Sequence, residues 1–379
     1  MHQVLFWIPF HFFGLTPNGI PIYGFGTMLF LAFLACIWLA GKLAQREGIA
    51  KERVADLALW VFIGGIIGAR IVFMIQYKVP WQHFFRIWEG GIVFYGSAIG
   101  GWVGYGLGWW FMRTKYRVPT WRLADAIAPV VCVGLMLGRI GCFMNGCCYG
   151  HVCTDCGVRG LQFPLMTSPA RELVVNRGYQ TLAGFALDET ALMMQTPGLS
   201  LVGTVEPNSP AAVAGLQRGD VITKVNDQSI SSAHQLESVL QADWPKGEQE
   251  VNLTVLRHGA SMALPAFTPR TLPLHPTQLY ESISMFLIFV LLMAFYPYRR
   301  HYGQVFVLLM LCYAVHRFFN ETLRDDTDPV WMNLTLSQVG SLAVFAGGIG
   351  LELFLRKYSD RVAWASPKSP GDQAAKADA

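Results

Sequence analysis

One stretch of the sequence, from Leu135 to Gly150, contains residue types that could bind a ligand or take part in catalysis. It reads LMLGRIGCFMNGCCYG. It begins as the end of an apolar segment, contains Arg139, and passes into glycines, Asn145 and two adjacent cysteines. An arginine at the end of a membrane helix is costly to bury and usually faces a partner or a polar cavity. It can also snorkel to the lipid headgroups and do nothing else. The polar residues in the other segments of the chain decide between these two interpretations.

The composition indicates a polytopic membrane protein. Of the 379 residues, 53% are hydrophobic and only 14% are charged, whereas soluble proteins carry about a quarter charged residues. The net charge is +4 and the basic residues are scattered in short loops, which argues against a nucleic-acid partner. The first residues lack a basic region, so we expect no cleaved signal peptide.

Seven apolar segments each approach the roughly 20 residues that a helix needs to cross a bilayer. Their approximate bounds are 21–41, 54–76, 93–112, 123–143, 277–297, 304–320 and 336–355. Basic residues concentrate after the first, third, fifth and seventh segments. Since such loops stay in the cytoplasm, we predict an N-terminus outside and a C-terminus inside the cell.

The connection from about 144 to 276 is far longer than the others and must contain structure of its own. Within it, VEPNSPAAVAGLQRGDVITKVNDQSI resembles a bacterial PDZ domain, which binds extended peptides by adding a strand to a sheet edge. The resemblance implies a carboxylate-binding loop near Gly198, Leu199 and Ser200. A spacer that binds no peptide is the alternative.

The predicted fold class is therefore an α-helical polytopic membrane protein with a small inserted α+β domain. Residues 1–196 hold the first four spans and the outer loop, and 197–267 hold the PDZ-like domain. Residues 268–358 hold the last three spans. The tail, 359–379, is rich in Ala, Ser, Pro and Lys, and we expect it to be disordered.

Polar residues of six spans are predicted to meet in the outer leaflet. Each lies near the outer end of its span in the predicted orientation, whereas independent snorkelling would distribute such residues over both ends. They are Tyr23, Arg70, Glu89, Tyr95, Arg139, Asn145, His275, Gln278, Tyr280, Glu281, Tyr313, Arg317, Glu321 and Arg324. The convergence implies one site that opens to the outer membrane surface.

This set of side chains suits an anionic phospholipid headgroup. Arginine holds a phosphate through two parallel N–H···O bonds, and the attraction strengthens where water is scarce. Arg317 and Glu321 are four residues apart on one helix face, so the glutamate can orient the arginine. A network of ion pairs that only holds helices together is the alternative.

Four ordered blocks resemble the prolipoprotein diacylglyceryl transferase family. GRIGCFMNGCCYG is similar to the family's GRxGNFxNxExxG signature, and WEGGIVFYGSAIGG, HPTQLYES and RFFNETLRDD are similar to its other blocks. The resemblance covers most of 20–165 and 270–355, with the PDZ-like domain as an insertion. Enzymes of this family transfer diacylglyceryl from phosphatidylglycerol to the lipobox cysteine of bacterial preprolipoproteins and release glycerol phosphate.

The resemblance implies roles for individual residues. Arg139 and Arg317 would hold the phosphate as charge develops on it, Glu321 would orient Arg317, and Asn145 would bind the headgroup. Further candidates for phosphatidylglycerol binding are Tyr23, Arg70, His275, Tyr280, Tyr313 and Arg324. No metal, nucleotide or other cofactor is implied. The expected location is the bacterial inner membrane, with the inserted domain outside.

Three positions depart from the family pattern. Tyr95 stands where the family has a histidine, and Cys142 and Cys147 stand where the signature has an asparagine and a glutamate. The histidine is a candidate proton acceptor or headgroup ligand, so we predict the same role for Tyr95. Tyrosine, with an unperturbed pKa of about 10, is a poorer base at neutral pH.

Five of the eight cysteines follow one another as C-x4-C-C-x4-C-x2-C. The predicted topology places most of them outside the cytoplasm, where disulfides among Cys142, Cys147, Cys148, Cys153 and Cys156 are the default. The Cys-x-x-Cys spacing of the last two also permits metal binding. A catalytic thiol is the third interpretation.

Other classes of function compete with lipid transfer. An intramembrane metalloprotease with a PDZ domain would need H-E-x-x-H, and none of the nine histidines is followed by glutamate. A non-catalytic lipid or peptide receptor, or a thiol-redox membrane protein, stays open. The predicted partners are phosphatidylglycerol, preprolipoprotein signal peptides and a peptide partner of the PDZ-like domain.

Overall fold

The computed structural model describes residues 3–9, 20–84, 94–115, 119–153, 160–188, 200–242, 244–245, 247–324 and 329–362. Several predicted features fall outside these ranges. They are Glu89, Cys156, Gly198, Leu199 and most of the tail.

Long helices form at each predicted apolar span, because a helix satisfies its backbone hydrogen bonds internally where water is absent. The α-helices of the described residues are α1 (Gly24–Arg46), α2 (Lys51–Gln76), α3 (Phe94–Lys115), α4 (Thr120–Asn145), α5 (Pro210–Val213), α6 (Ala233–Gln241), α7 (Thr277–Phe295), α8 (Gln304–Glu321) and α9 (Leu336–Tyr358). Within the described ranges, α1, α2, α4, α7 and α9 are long and apolar enough to cross a membrane. The chain is a helical membrane protein, and spans through α3 and α8 stay predictions.

The strands are short and pair antiparallel. They are β1 (Val4–Ile8), β2 (Ile20–Tyr23), β3 (Phe185–Leu187), β4 (Val202–Val205), β5 (Val221–Val225), β6 (Gln228–Ser229), β7 (Leu253–Arg257), β8 (Ala260–Ala263), β9 (Pro329–Trp331) and β10 (Leu334–Thr335). β1 pairs with β2, β3 with β4 and β9 with β10, while the largest sheet has the order β6-β5-β7-β8.

The chain divides into two compact units. The first comprises Met1–Ala32, Leu135–Ser284 and His316–Gly340, and the second comprises Phe33–Gly134, Met285–Val315 and Ser341–Ala379. The signature, the long inserted connection, HPTQLYES and the end of α8 all belong to the first unit.

In the second unit, α2 and α3 pack with their backbones in contact. Gly64 and Gly68 on α2 face Gly96, Gly100 and Gly104 on α3. A Cβ atom on Gly68 would collide with the carbonyl oxygen of Gly96. Small residues allow such close approach, which is a main source of helix association in lipid. A larger residue at this contact would push the two helices apart.

A buried carboxylate holds the start of α8 in the second unit. Asp125 is 0% exposed and accepts hydrogen bonds from the backbone N–H groups of Gly303 and Val305, both at 2.9 Å. The first turn of a helix cannot satisfy such donors itself, so Asp125 replaces a cap. Arg299 lies 3.4 Å from Asp125 and 2.6 Å from Glu47, and it compensates both buried charges.

The long connection contains an inserted domain, residues 182–268, with a hydrophobic core of its own, to which Phe185, Ile222, Leu236 and Leu253 contribute. Strand β3 pairs with β4 through Phe185 and its two neighbours. The sheet structure therefore includes chain upstream of residue 197, where the sequence placed the start of the domain. Phe185 explains the difference, since its buried ring completes this core.

Two side chains, Arg171 and Gln180, hold the inserted domain and the chain on either side of it together. Arg171 donates to the Gln241 carbonyl at 3.1 Å, at the end of α6, where carbonyls have no partner within the helix. Gln180 donates to the Arg270 carbonyl at 2.7 Å and accepts from the Leu272 N–H at 2.8 Å. The two ends of the connection therefore lie side by side.

We expect Asp220→Asn to destabilise the sheet of the inserted connection by about 1.5–3 kcal/mol at pH 7, the loss typical of a hydrogen bond to a charged group. Asp220 is 1% exposed, and Arg257 Nε donates to its carboxylate at 2.7 Å. Hydrogen bonding to Arg257 lowers the pKa of Asp220. The effect should appear as faster hydrogen exchange in peptides covering β5 and β7 of the full-length protein.

The pH dependence follows from the direction of this shift. A carboxyl whose pKa is lower in the folded state stabilises above its unfolded pKa, about 3.9, and loses that stabilisation as the pH falls through its folded pKa. The difference between parent and Asp220→Asn should therefore be complete at pH 7 and disappear in stronger acid. Asp227→Asn, at an exposed turn, is the matched control. Equal exchange in all three proteins at pH 7 would contradict this expectation.

Candidate active site

Glu281 on α7 connects two of the predicted arginines. Its side chain is 1% exposed, and its Oε2 lies 3.0 Å from Arg139 Nε and 3.7 Å from Arg317 Nη1. Asn320 donates to the same oxygen at 3.2 Å. One buried carboxylate thus holds guanidinium groups from α4 and α8 together.

Glu321 forms the second buried acidic position. Its Oε2 lies 2.7 Å from Arg317 Nη2, which confirms the i,i+4 pairing expected from the sequence. Arg324 Nε lies 3.9 Å from the same oxygen, and Thr335 donates to Oε1 at 3.1 Å. Glu321 therefore orients Arg317 from one side while Glu281 orients it from the other.

The cluster contains three arginines, Arg139, Arg317 and Arg324, and two glutamates. Its net charge is therefore +1. Several of its buried polar atoms lack a hydrogen-bond partner among the described residues. They are Arg317 Nη1, Glu281 Oε1 and the nearby Gln278 Oε1. Buried polar atoms that make no hydrogen bond are costly, and a ligand that forms hydrogen bonds with them gains that energy on binding. The arrangement is suited to an anionic group with hydrogen-bonding oxygens and hydroxyls.

The signature ends α4 in a Schellman motif. Gly146 has φ +76°, its N–H donates to the Phe143 carbonyl at 3.2 Å, and the Cys147 N–H donates to the Cys142 carbonyl at 3.2 Å. Glycine adopts this left-handed backbone without strain. Cys148 also has a positive φ, 62°. The turn therefore folds the two adjacent cysteines back over the last turn of α4.

Three sulfurs meet at this turn. The Sγ atoms of Cys142, Cys147 and Cys148 all lie within 4.8 Å of one another. All three are free thiols, so the disulfides predicted for them are not formed. The turn places all three thiols next to one another, whereas a disulfide joins only two sulfurs through an S–S bond of about 2.05 Å, and no pair here is joined in that way.

The cysteine downstream behaves differently. Cys153 is disulfide-bonded, which confirms that part of the expectation and removes its thiol as a metal ligand. We call the segment that carries the Cys142, Cys147 and Cys148 thiols the three-thiol turn. Within it, the pKa of Cys148 is lowered by hydrogen bonds from the Cys142 and Cys147 thiols and by the positive charge of Arg139 and Arg324. The thiols and the arginine cluster therefore act on one another.

Gly150 joins the signature to HPTQLYES and to the end of α8. Its N–H donates to the His275 carbonyl at 2.9 Å, and the His151 N–H donates to the Leu323 carbonyl at 3.0 Å. A Cβ atom at Gly150 would collide with the Leu323 carbonyl oxygen and with His275. Only glycine fits this close approach, so it fixes three of the four sequence blocks relative to one another.

Four other predicted ligands, His275, Tyr280, Tyr23 and Asn145, belong to the first unit outside the arginine cluster. His275 Nδ1 lies 3.4 Å from the Tyr280 hydroxyl. Tyr23 directly precedes α1, as predicted, and is 45% exposed. A cavity of about 340 Å³ opens beside Asn145 and reaches Trp244 of the inserted connection.

The other predicted site residues belong to the second unit or to the inserted domain. Arg70 and Tyr313 belong to the second unit, where Arg70 is 3% exposed and donates to the Phe84 carbonyl at 3.1 Å. Tyr95 is the second residue of α3 in that unit, and its side chain lies outside the described part. Ser200, in the predicted carboxylate-binding loop, is 1% exposed.

The sequence profile described as prolipoprotein diacylglyceryl transferase matches residues 12–354, nearly the whole chain. The chain belongs to this family.

Similar relatives carry the name phosphatidylglycerol–prolipoprotein diacylglyceryl transferase. One from Rhodopirellula baltica is 30% identical, across 90% of this chain and 73% of its own length. One from Lactiplantibacillus plantarum is 24% identical, across 92% of this chain and 91% of its own. A third, from Pseudoalteromonas atlantica, is 37% identical over 144 residues.

Sequence reasoning included Glu281 among the polar residues but gave it no role. In the structure it is the carboxylate that Arg139 and Arg317 share. The sequence did contain an indication that Glu281 pairs with a cation. An acidic residue within an apolar membrane helix is costly unless a cation pairs with it. Which cation would pair could not be read from the sequence, since three arginines lie in candidate blocks.

Proposed function

We propose that the chain transfers the diacylglyceryl group of phosphatidylglycerol to the lipobox cysteine of preprolipoproteins and releases glycerol phosphate. The observation that carries the proposal is the cluster of Arg139, Arg317 and Arg324 around two buried glutamates, in a chain of this family. The relatives' names support both substrates. The charge of the loops supports an inner-membrane enzyme whose site opens to the outer leaflet.

The reaction moves negative charge onto the phosphate. The thiolate sulfur attacks the glyceryl carbon that bears the phosphate ester, a C–S bond forms, and the C–O bond breaks with its electron pair on the phosphate oxygen. Guanidinium groups fixed beforehand stabilise that charge without reorganising. Glu281 and Glu321 fix Arg139 and Arg317 in this way. Asn145, Tyr23 and the His275–Tyr280 pair are proposed to bind the headgroup.

A transfer assay with labelled phosphatidylglycerol and a synthetic lipobox peptide tests the proposal. The expected product carries the diacylglyceryl group on the peptide cysteine as a thioether, with one glycerol phosphate released for each product. A peptide with serine in place of that cysteine should accept nothing. If the folded, membrane-embedded protein transfers no lipid, the proposed function is wrong.

Tyr95 is proposed as proton acceptor or headgroup ligand. Replacing it with phenylalanine removes the hydroxyl and keeps the ring, so Tyr95→Phe should lose about 10²-fold or more in transfer if the hydroxyl moves a proton. Tyr95→His should be tolerated. The initial rate per folded protein is the measurement, and a fully active phenylalanine variant would leave ring packing as the only contribution of this residue.

We also propose that the inserted domain, residues 182–268, recruits substrates as a PDZ-like module and takes no part in the chemistry. It supplies no arginine to the cluster, and its two ends are held side by side by Gln180. Tethering a peptide-binding module beside the site raises the local concentration of a bound chain, to the millimolar range for a short linker.

Replacing residues 182–268 with a short Gly/Ser linker should therefore leave turnover of a short lipobox peptide nearly unchanged. Processing of full-length preprolipoproteins should slow at limiting substrate concentration. Both rates are measured on the same membrane preparation, and Arg171→Gln serves as a control for loss of the α6 contact alone. Loss of short-peptide transfer in a folded deletion variant would place the inserted domain in the active site.

A further inference from the structure

The three-thiol turn is not used by the proposed mechanism. Cys142, Cys147 and Cys148 are half-buried, and their sulfurs lie within 4.8 Å of one another. A tetrahedral zinc ion with Zn–S bonds of about 2.3 Å places its sulfur ligands roughly 3.8 Å apart, so a small contraction would bring all three onto one ion. A disulfide would use only two of these thiols and leave the third.

Hydrogen bonds from residues outside the three-thiol turn fix the backbone that carries the thiols. Thr277 donates to the Cys148 carbonyl at 2.8 Å, and Gln278 donates to the Cys147 carbonyl at 2.7 Å. Both donors are buried, at 1% and 0% exposed. The Schellman motif fixes Cys147 over Cys142 from the other side. Outer contacts of this kind fix the positions of metal ligands before the ion binds.

The charge around the turn also suits a thiolate–metal centre. Three thiolates around a divalent cation leave one negative charge, which is costly to bury unless a cation lies nearby. Arg139 is close enough to interact electrostatically with Cys142 and Cys148, and Arg324 is close enough to interact with Cys148. These arginines can therefore compensate the centre.

We propose that Cys142, Cys147 and Cys148 bind one thiophilic divalent cation, with zinc as the natural ion, and leave its fourth coordination position open. Three protein ligands with an open position are the arrangement of catalytic zinc sites. This assignment revises the expectation of no metal, and it differs from the Cys153–Cys156 pair whose spacing permits metal binding.

The open position fits a fourth thiol, that of the acceptor cysteine; this step rests on the proposed function. Coordination to zinc deprotonates a thiol, and the proton leaves to water. The bound sulfur then attacks the glyceryl carbon, the C–S bond replaces the Zn–S bond, and the C–O electron pair leaves on the phosphate. Arg139 interacts with the thiols and also belongs to the proposed phosphate site. It can therefore act on both the attacking sulfur and the departing phosphate.

Cobalt(II) alone, added to the reduced full-length protein in detergent, tests the metal site. We expect about one ion per chain, with a thiolate-to-cobalt charge-transfer band and the visible bands of tetrahedral coordination. The variant Cys142→Ser/Cys147→Ser/Cys148→Ser should bind none. The matched control Cys36→Ser/Cys132→Ser/Cys312→Ser, which changes three free thiols outside the turn, should bind as the parent does. Equal binding by both variants, or none by the parent, would overturn the site.

Alkylation of the parent protein keeps the test independent of how the variants fold. Zinc should protect the three turn cysteines from alkylation, as mapped by mass spectrometry, and leave the labelling of Cys36, Cys132 and Cys312 unchanged. Equal labelling of the turn cysteines with and without zinc would count against the site.

A lipobox peptide tests the open position. Added to the cobalt-loaded protein, it should raise the charge-transfer intensity by roughly a third, from three thiolate bonds to four, and its serine analogue should not. An unchanged spectrum would show that the acceptor thiol does not bind the ion. Failure of lipid transfer with an intact cobalt spectrum refutes the proposed function alone, and transfer by metal-free protein refutes the zinc step alone.

Discussion

Replacing Arg139 or Arg317 with lysine should lower the rate of lipid transfer by roughly one to four orders of magnitude. Lysine keeps the charge but loses the planar fork that holds a phosphate through two bonds. Each charge-assisted hydrogen bond contributes about 1.5–3 kcal/mol, and each 1.36 kcal/mol changes the rate tenfold. The measurement is the initial transfer rate per folded protein, with phosphatidylglycerol concentration varied so that kcat and KM are separated.

Arg299→Lys is the matched control for this pair of variants. Arg299 is also a buried arginine between two carboxylates, Glu47 and Asp125, but it lies in the second unit. Its replacement should lower the amount of folded protein and leave the rate per folded molecule unchanged. If both Arg139→Lys and Arg317→Lys transfer lipid at the parent rate, the assignment of phosphate binding to these residues is wrong.

Glu281→Gln should lower transfer by up to roughly three orders of magnitude, because two arginines lose the carboxylate that fixes them. Removing one partner of a buried ion pair costs about 3–5 kcal/mol, part of which appears as lost stability and part as lost transition-state stabilisation. Glutamine keeps the shape and can still accept from Asn320, so the change isolates the charge. We expect kcat to fall and KM for phosphatidylglycerol to rise together.

Two comparisons separate positioning from folding. Glu281→Asp, which restores the charge on a shorter side chain, should recover part of the lost rate. Glu352→Gln removes a carboxylate that pairs with Arg356 at 3.0 Å in the second unit, and it should leave transfer unchanged. A Glu281→Gln enzyme with parent kcat and KM would show that the arginines hold their positions without this residue.

The helices could be predicted from the sequence because membrane spans are encoded locally. A run of about 20 apolar residues is sufficient evidence, and each predicted span is observed as a helix. Strand β3 could not be predicted in the same way. Phe185–Leu187 is only three residues long and depends on pairing with β4, a contact between segments separated in sequence.

The charged residues of the arginine cluster could be predicted from the sequence, but the contacts between them could not. Arginine and glutamate inside apolar segments are expensive, which indicated that they meet. That Glu281 would hold Arg139 and Arg317 depends on helix packing, which no spacing rule specifies. The three-thiol turn was missed because cysteines on the outer side suggest disulfides. Here the left-handed residues Gly146 and Cys148 decide where the sulfurs point.

The glycine contact between α2 and α3 makes this helix pair a stiff mechanical element. Backbone atoms of Gly68 and Gly96 touch, so no side chain between them can change rotamer to allow sliding. If α2 and α3 slid past each other, all the close glycine contacts between them would be lost at the same time. We expect α2 and α3 to move as one rigid body during turnover, so that loops and helix ends absorb whatever motion the second unit undergoes.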